Sequence, residues 1–147
     1  MKLAILVASL LAVTACNPYL YQASAPPPGR TARLDPVEGF WGNIIRYRLA
    51  VSEGVAVAIT CEHGSTCEKM KVVSDNPAIA EVRMASLSTL EHQTVYGRDQ
   101  QPTAAFVVVG KAPGATRIRV TASTGSRSVT VTVDAPPPGT ASVAAQP

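Results

Sequence analysis

From about residue 43 to residue 134, apolar and polar positions alternate with a period of two, the mark of half-buried strands, whose successive side chains point to opposite faces. Val55, Val57 and Ile59 alternate with Ala56, Ala58 and Thr60. Met70 and Val72 alternate with Lys69, Lys71 and Val73, and Val82 and Met84 with Glu81 and Arg83. Ile118, Val120 and Ala122 face away from Arg117, Arg119 and Thr121, and Val129, Val131 and Val133 face away from Thr130 and Thr132. Thr124-Gly125-Ser126 joins the last two runs as a hairpin. Phe106 to Val109 is apolar throughout, as a central strand covered on both faces would be. With Asn43 to Val51 added, the pattern predicts about seven short strands, an all-β immunoglobulin-like sandwich over residues 34–134.

The flanks break this pattern. Residues 16–33 carry Pro, Ala, Ser and polar types, including Pro26-Pro27-Pro28-Gly29, a composition that predicts a flexible tether. Residues 135–147 open on Ala135-Pro136-Pro137-Pro138-Gly139 and predict a disordered tail. Upstream, Lys2 followed by the apolar run Leu3 to Val13 reads as a signal peptide over residues 1–15, being too short to cross about 30 Å of hydrocarbon. Val13-Thr14-Ala15-Cys16 resembles the lipobox of bacterial lipoproteins. That resemblance implies cleavage before Cys16 and lipid on its thiol, an anchor without a transmembrane helix. Asn17 in place of aspartate favours the outer over the inner membrane, as the resemblance implies. Ordinary secretory cleavage at the same bond is the alternative, and both carry the chain out of the cytoplasm.

A chain of 147 residues is long enough for one core. Its formal net charge of +3 comes from Lys and Arg that never form a run, which argues against a nucleic-acid footprint and explains only solubility. Three cysteines would be an awkward number outside the cytoplasm, but lipid on Cys16 leaves Cys61 and Cys67 to pair. The Gly, Ser and Thr between them suit a turn that brings both thiols to the base of one loop. A metal site from Cys61, His63, Cys67 and His92 is the chemical alternative, but it lacks the Cys-x-x-Cys knuckles of structural zinc.

Ser74-Asp75-Asn76-Pro77-Ala78-Ile79-Ala80-Glu81-Val82 resembles the signature stretch of the bacterial immunoglobulin-like domains, group 2 in particular. Gly110-Lys111-Ala112-Pro113-Gly114-Ala115-Thr116-Arg117-Ile118 is similar to that family's turn into its penultimate strand, and Leu49 to Gly54 and Ser128 to Val133 fit its opening and closing strands. The resemblance covers roughly Arg48 to Asp134 and implies an adhesion, spacer, or carbohydrate- or protein-contacting module. Two departures stand out: the Cys61 and Cys67 pair, and an insertion from Ala85 to Pro102.

Candidate chemistry is sparse. His63 and His92 are the only histidines, and neither lies near a nucleophile elbow. Phosphate loops, calcium loops and dinucleotide fingerprints are absent from the sequence. Within the insertion, Tyr96, Arg98 and Asp99 are candidate partner-binding residues, against the plainer reading of a solvated loop. Trp41, in the cluster Phe40-Trp41-Gly42, is another candidate where the cluster is exposed, but large aromatics usually end up inside and the cluster is expected to plug one end of the sandwich. The expected function is that of a non-catalytic immunoglobulin-like module on a cell-envelope lipoprotein, with no metal or other cofactor. Its expected partners are the membrane, through Cys16, and an envelope protein or polysaccharide, but not nucleic acid. An accessory subunit of a larger envelope machine and a small hydrolase using His63 or His92 are the alternatives.

Overall fold

The computed structural model describes residues 17–40, 42–62, 67, 69–86, 104–123 and 125–135. Among the described residues, nine strands run in chain order: β1 Tyr19–Gln22, β2 Ala32–Glu38, β3 Ile44–Ser52, β4 Ala56–Glu62, β5 Lys71–Ser74, β6 Ala80–Ser86, β7 Ala104–Gly110, β8 Gly114–Ala122 and β9 Gly125–Asp134. They form an immunoglobulin-like sandwich from a four-stranded sheet, β1-β4-β7-β6, and a five-stranded sheet, β2-β3-β9-β8-β5. Pairing is antiparallel except between β3 and β9, which run parallel.

The alternation read from the sequence sets the inner faces. Val57, Ile59, Phe106 and Val108 from the smaller sheet meet Leu49, Val51, Ile118, Val120, Val129 and Val131 from the larger, all buried. At about 25 cal/mol per Å² of apolar surface removed from water, this shared layer is the main source of stability. Phe106 and Val108 are fully buried on central strand β7, while Val107 and Val109 on its other face are only partly covered. β8 and β9 close on each other at Ala122, which pairs with Gly125, so Gly125 and Ser126 already belong to β9.

Three expectations need correcting. More strands form than the seven foreseen, and the additional ones lie at the N-terminal side. Residues 17–33 are not a free tether: Tyr19–Gln22 pairs with β4, Pro18 and Leu20 are buried, and Ala32 already belongs to β2. The cause is local alternation, since Leu20 enters the core while Tyr19 and Tyr21 stay outside. The insertion is also shorter than the sequence implied, as Ala85 and Ser86 continue β6.

The stretch Ser74 to Ile79 carries the chain from the larger sheet to the smaller. The Asn76 side-chain oxygen accepts from the Ala78 amide at 3.1 Å, and the Asn76 carbonyl from the Ile79 and Ala80 amides at 3.1 Å each. Ile79 then packs on Gly114, where an added Cβ would lie 3.1 Å from the Ile79 Cδ1. Gly114 also has φ +146°, a conformation that a side chain strains. The two motifs are therefore two sides of one crossover.

Candidate functional site

The described chain starts at one end of the sandwich, and several unusual features gather there. Asn17 lies against Gly125 at the start of β9. Because β3 runs parallel to β9, the β2–β3 turn projects at this same end. That turn is closed by the Gly39 amide donating to the Asn43 carbonyl at 2.7 Å and the Gly42 amide to the Gly39 carbonyl at 3.1 Å. Phe40 stands at its tip, 94% exposed. The sequence expectation of a buried aromatic plug is thus overturned for Phe40: a five-residue turn carries it beyond the last paired residues, where no inner face exists to receive it. Trp41 lies outside the described residues.

A register shift beside this turn shapes the surface. Val37 pairs with Arg46 and Glu38 with Ile44, which leaves Ile45 as a bulge. The extra residue returns Ile44 to the inner side and pushes Ile45 out to 52% exposure. Ile44, Leu34, Pro36 and Tyr47 then face Tyr19, Leu20, Tyr21 and Gln22 across a cleft of about 290 Å³, between the edge strands of the two sheets. Gln22 closes its far side by donating to the carbonyls of Ser24 at 2.7 Å and Ala32 at 3.0 Å while accepting from the Leu34 amide at 3.1 Å. The buried Tyr47 hydroxyl accepts from the Leu20 amide at 3.0 Å. Burial holds the Tyr47 phenol above its ordinary pKa, with the Leu20 hydrogen bond acting in the opposite direction. The cleft can receive an apolar group, but its lining offers no nucleophile paired with a base.

Cys61 and Cys67 form the expected disulfide, with Cα atoms 5.8 Å apart. Both are buried, at the same end as Asn17, since Cys61 pairs with Leu20 on one side and Ala104 on the other. Bonded sulfurs have no thiolate to offer a metal, and among the described residues no group of three or more His, Cys, Asp or Glu is placed to hold one. Cys16, His63, His92, Tyr96, Arg98 and Asp99 lie outside the described residues. No described helix is long and apolar enough to cross a membrane.

The residues that sequence reasoning missed are Tyr19, Tyr21 and Tyr47. Alternation around Leu20 was the available signal for the first two. Adjacency of the two edges was not readable.

The chain matches no family model and no curated protein. Among solved structures it is similar to domains 4 and 5 of the S-layer protein SbsC, at 20% identity over 80% of this chain and 53% of that one, with a TM-score of 0.39. Domains 4–9 of SbsC match at 21% identity over 83% of this chain and 15% of that one, with a TM-score of 0.42. The longer rSbsC(31-844) matches at 20% identity over 80% of this chain and 13% of that one, with a TM-score of 0.40. The chain thus spans about half or less of the structures it resembles.

Proposed function

We propose that this chain is a bacterial cell-envelope lipoprotein, lipidated at Cys16, that presents one non-catalytic immunoglobulin-like module of the group 2 type. The observation that carries this reading is the position of the first strand: β1 starts at Tyr19, three residues past the lipobox cysteine, so cleavage before Cys16 leaves every described strand whole. The Cys61–Cys67 disulfide supports an oxidising compartment. With Pro18 buried and β1 starting at Tyr19, there is hardly any slack between the lipid and the sandwich. The module then sits close to the bilayer, with the Phe40 end turned towards it, rather than standing off on a tether. The lipobox resemblance, with Asn17 in place of aspartate beside Cys16, supports the outer over the inner membrane. Metabolic labelling with a clickable fatty acid tests the reading: wild type takes the label and Cys16→Ser does not. Label persisting in Cys16→Ser overturns it.

A further inference from the structure

Cations that are scattered in sequence are gathered by the fold. On the outer face of the five-stranded sheet lie Arg33, Arg46, Arg48, Lys71, Arg117 and Arg119, six of the chain's 13 Lys and Arg residues. The registers place them in rows. Arg48 and Arg117 both pair with Thr130, one from each side, and Arg119 pairs with Ser128 on one side and Val73 on the other. Strand geometry spaces such cations about 7 Å apart along a strand and about 10 Å across two strands. Arg33 is paired with Asp35 at 2.8 Å, and Arg119 reaches Asp75 at 4.0 Å. Among the described residues, no carboxylate lies within ion-pair distance of Arg46, Arg48, Lys71 or Arg117.

The geometry points to this face as a docking platform for an acidic polysaccharide. Negative charge on the partner follows from the uncompensated cations, whose fields add over a flat face. A polymer follows from the flatness: single exposed charge pairs contribute little, and only simultaneous contacts along one chain accumulate affinity. Sugar is favoured by the hydroxyls of Thr121, Ser126, Ser128, Thr130 and Thr132 between the cations. Among the described residues the face carries no aromatic ring, whereas neutral glycans and single-stranded nucleic acids are held by stacking. A bilayer surface fits less well, because interfacial binding needs an apolar stripe beside the charges, whereas Val73 is a single exposed aliphatic among these cations and exposed Phe40 and Ile45 lie at the hairpin end. Only the placement of that polymer in the cell envelope rests on the function proposed above, and the binding chemistry does not.

The test uses the detergent-solubilised full chain with polygalacturonate, neutral dextran and phosphatidylglycerol vesicles as probes. Wild type should bind polygalacturonate in a salt-sensitive manner and ignore dextran. Combined Arg46→Glu, Arg48→Glu and Arg117→Glu should weaken binding on the order of 30-fold, from three small exposed contributions. The matching Arg→Lys variant should retain most of it, as should Arg83→Glu on the other sheet. Retained binding in the Glu variant with an unchanged melting temperature overturns the proposal, as do equal binding to dextran and a preference for vesicles over polygalacturonate. Should the Glu variant fail to fold, Arg46→Gln with Arg117→Gln gives the same readout at smaller amplitude. Fatty-acid labelling of Cys16 is read separately, so loss of the anchor and loss of the platform are distinguishable.

Discussion

The Tyr47 hydroxyl accepts the Leu20 amide proton at 3.0 Å, so a buried side chain of the larger sheet satisfies a backbone donor on the edge strand of the smaller. The bond fixes β1 against β3 and forms the floor of the cleft between them. Tyr47→Phe leaves that amide unpaired, at a cost of about 1–3 kcal/mol.

Burial gives the same side chain a pH signature. Burial raises the folded-state pKa of Tyr47 above the ordinary 10.0, so its contribution is fully present below that value and is lost as pH rises through the folded pKa. Urea melts of wild type and Tyr47→Phe should converge in stability on the alkaline side of 10.0 and stay separated at neutral pH. A constant gap across that window sinks the titration argument.

Gly114 is the glycine that the crossover cannot lose. Its φ of +146° and the Ile79 Cδ1 at 3.1 Å from a would-be Cβ both resist a side chain. Gly114→Ala should cost about 1–3 kcal/mol. Gly29 has φ +73° but nothing within 4 Å, so Gly29→Ala meets only the backbone penalty and should melt closer to wild type. Equal losses at the two sites would remove Ile79 from the explanation.

Burial along β9 sets a sharp contrast between neighbours. Val131 is fully buried and Thr132 is exposed on the opposite face. Val131→Asp buries an unpaired carboxylate, at several kcal/mol out of a total of about 5–15, and should unfold the domain. Thr132→Asp should be nearly silent by circular dichroism.

Periodicity carries these inner faces because strand alternation is local: Val55 to Ile59 and Ile118 to Val133 declare their orientation within a few residues. The disulfide was legible for a similar reason, as six positions separate its cysteines. Tyr19–Gln22 was hidden because four residues between prolines carry little periodic signal, and its partner β4 lies some forty positions away. The bulge at Ile45 inverts the parity that Asn43 to Val51 suggests, so which of Ile44 and Ile45 enters the core needs the β2 register. The basic face was least legible of all. Arg46 with Arg48 and Arg117 with Arg119 show the spacing of one strand face, but only parallel pairing of β3 with β9 brings them together.

Reducing the Cys61–Cys67 bond opens a short loop, which in the chain-entropy account costs about 2 kcal/mol. Cys61→Ser should therefore lower the melting temperature while keeping the β-sheet spectrum, since the shared core of the two sheets remains. Intact-mass measurement of wild type should show two hydrogens fewer than the reduced chain. Free thiols in freshly isolated protein would contradict the bond.

Whether the N-terminal segment is structural can be decided at two adjacent positions of β1. Leu20 is buried, paired with Cys61 and with its amide bonded to the Tyr47 hydroxyl, whereas Tyr21 is 44% exposed on the outer face. On a free tether, Leu20→Asp and Tyr21→Asp would both leave stability untouched. In a paired strand they differ: Leu20→Asp places a carboxylate in the core and should cost several kcal/mol, while Tyr21→Asp loses only partial ring contact and should cost under about 1 kcal/mol. Thermal melts of the full chain settle it, and hydrogen exchange adds a second reading. The Leu20 amide, bonded to Tyr47, should exchange slowly in wild type and quickly in Tyr47→Phe. Equal melting of the two Asp variants at the wild-type temperature would return β1 to the tether.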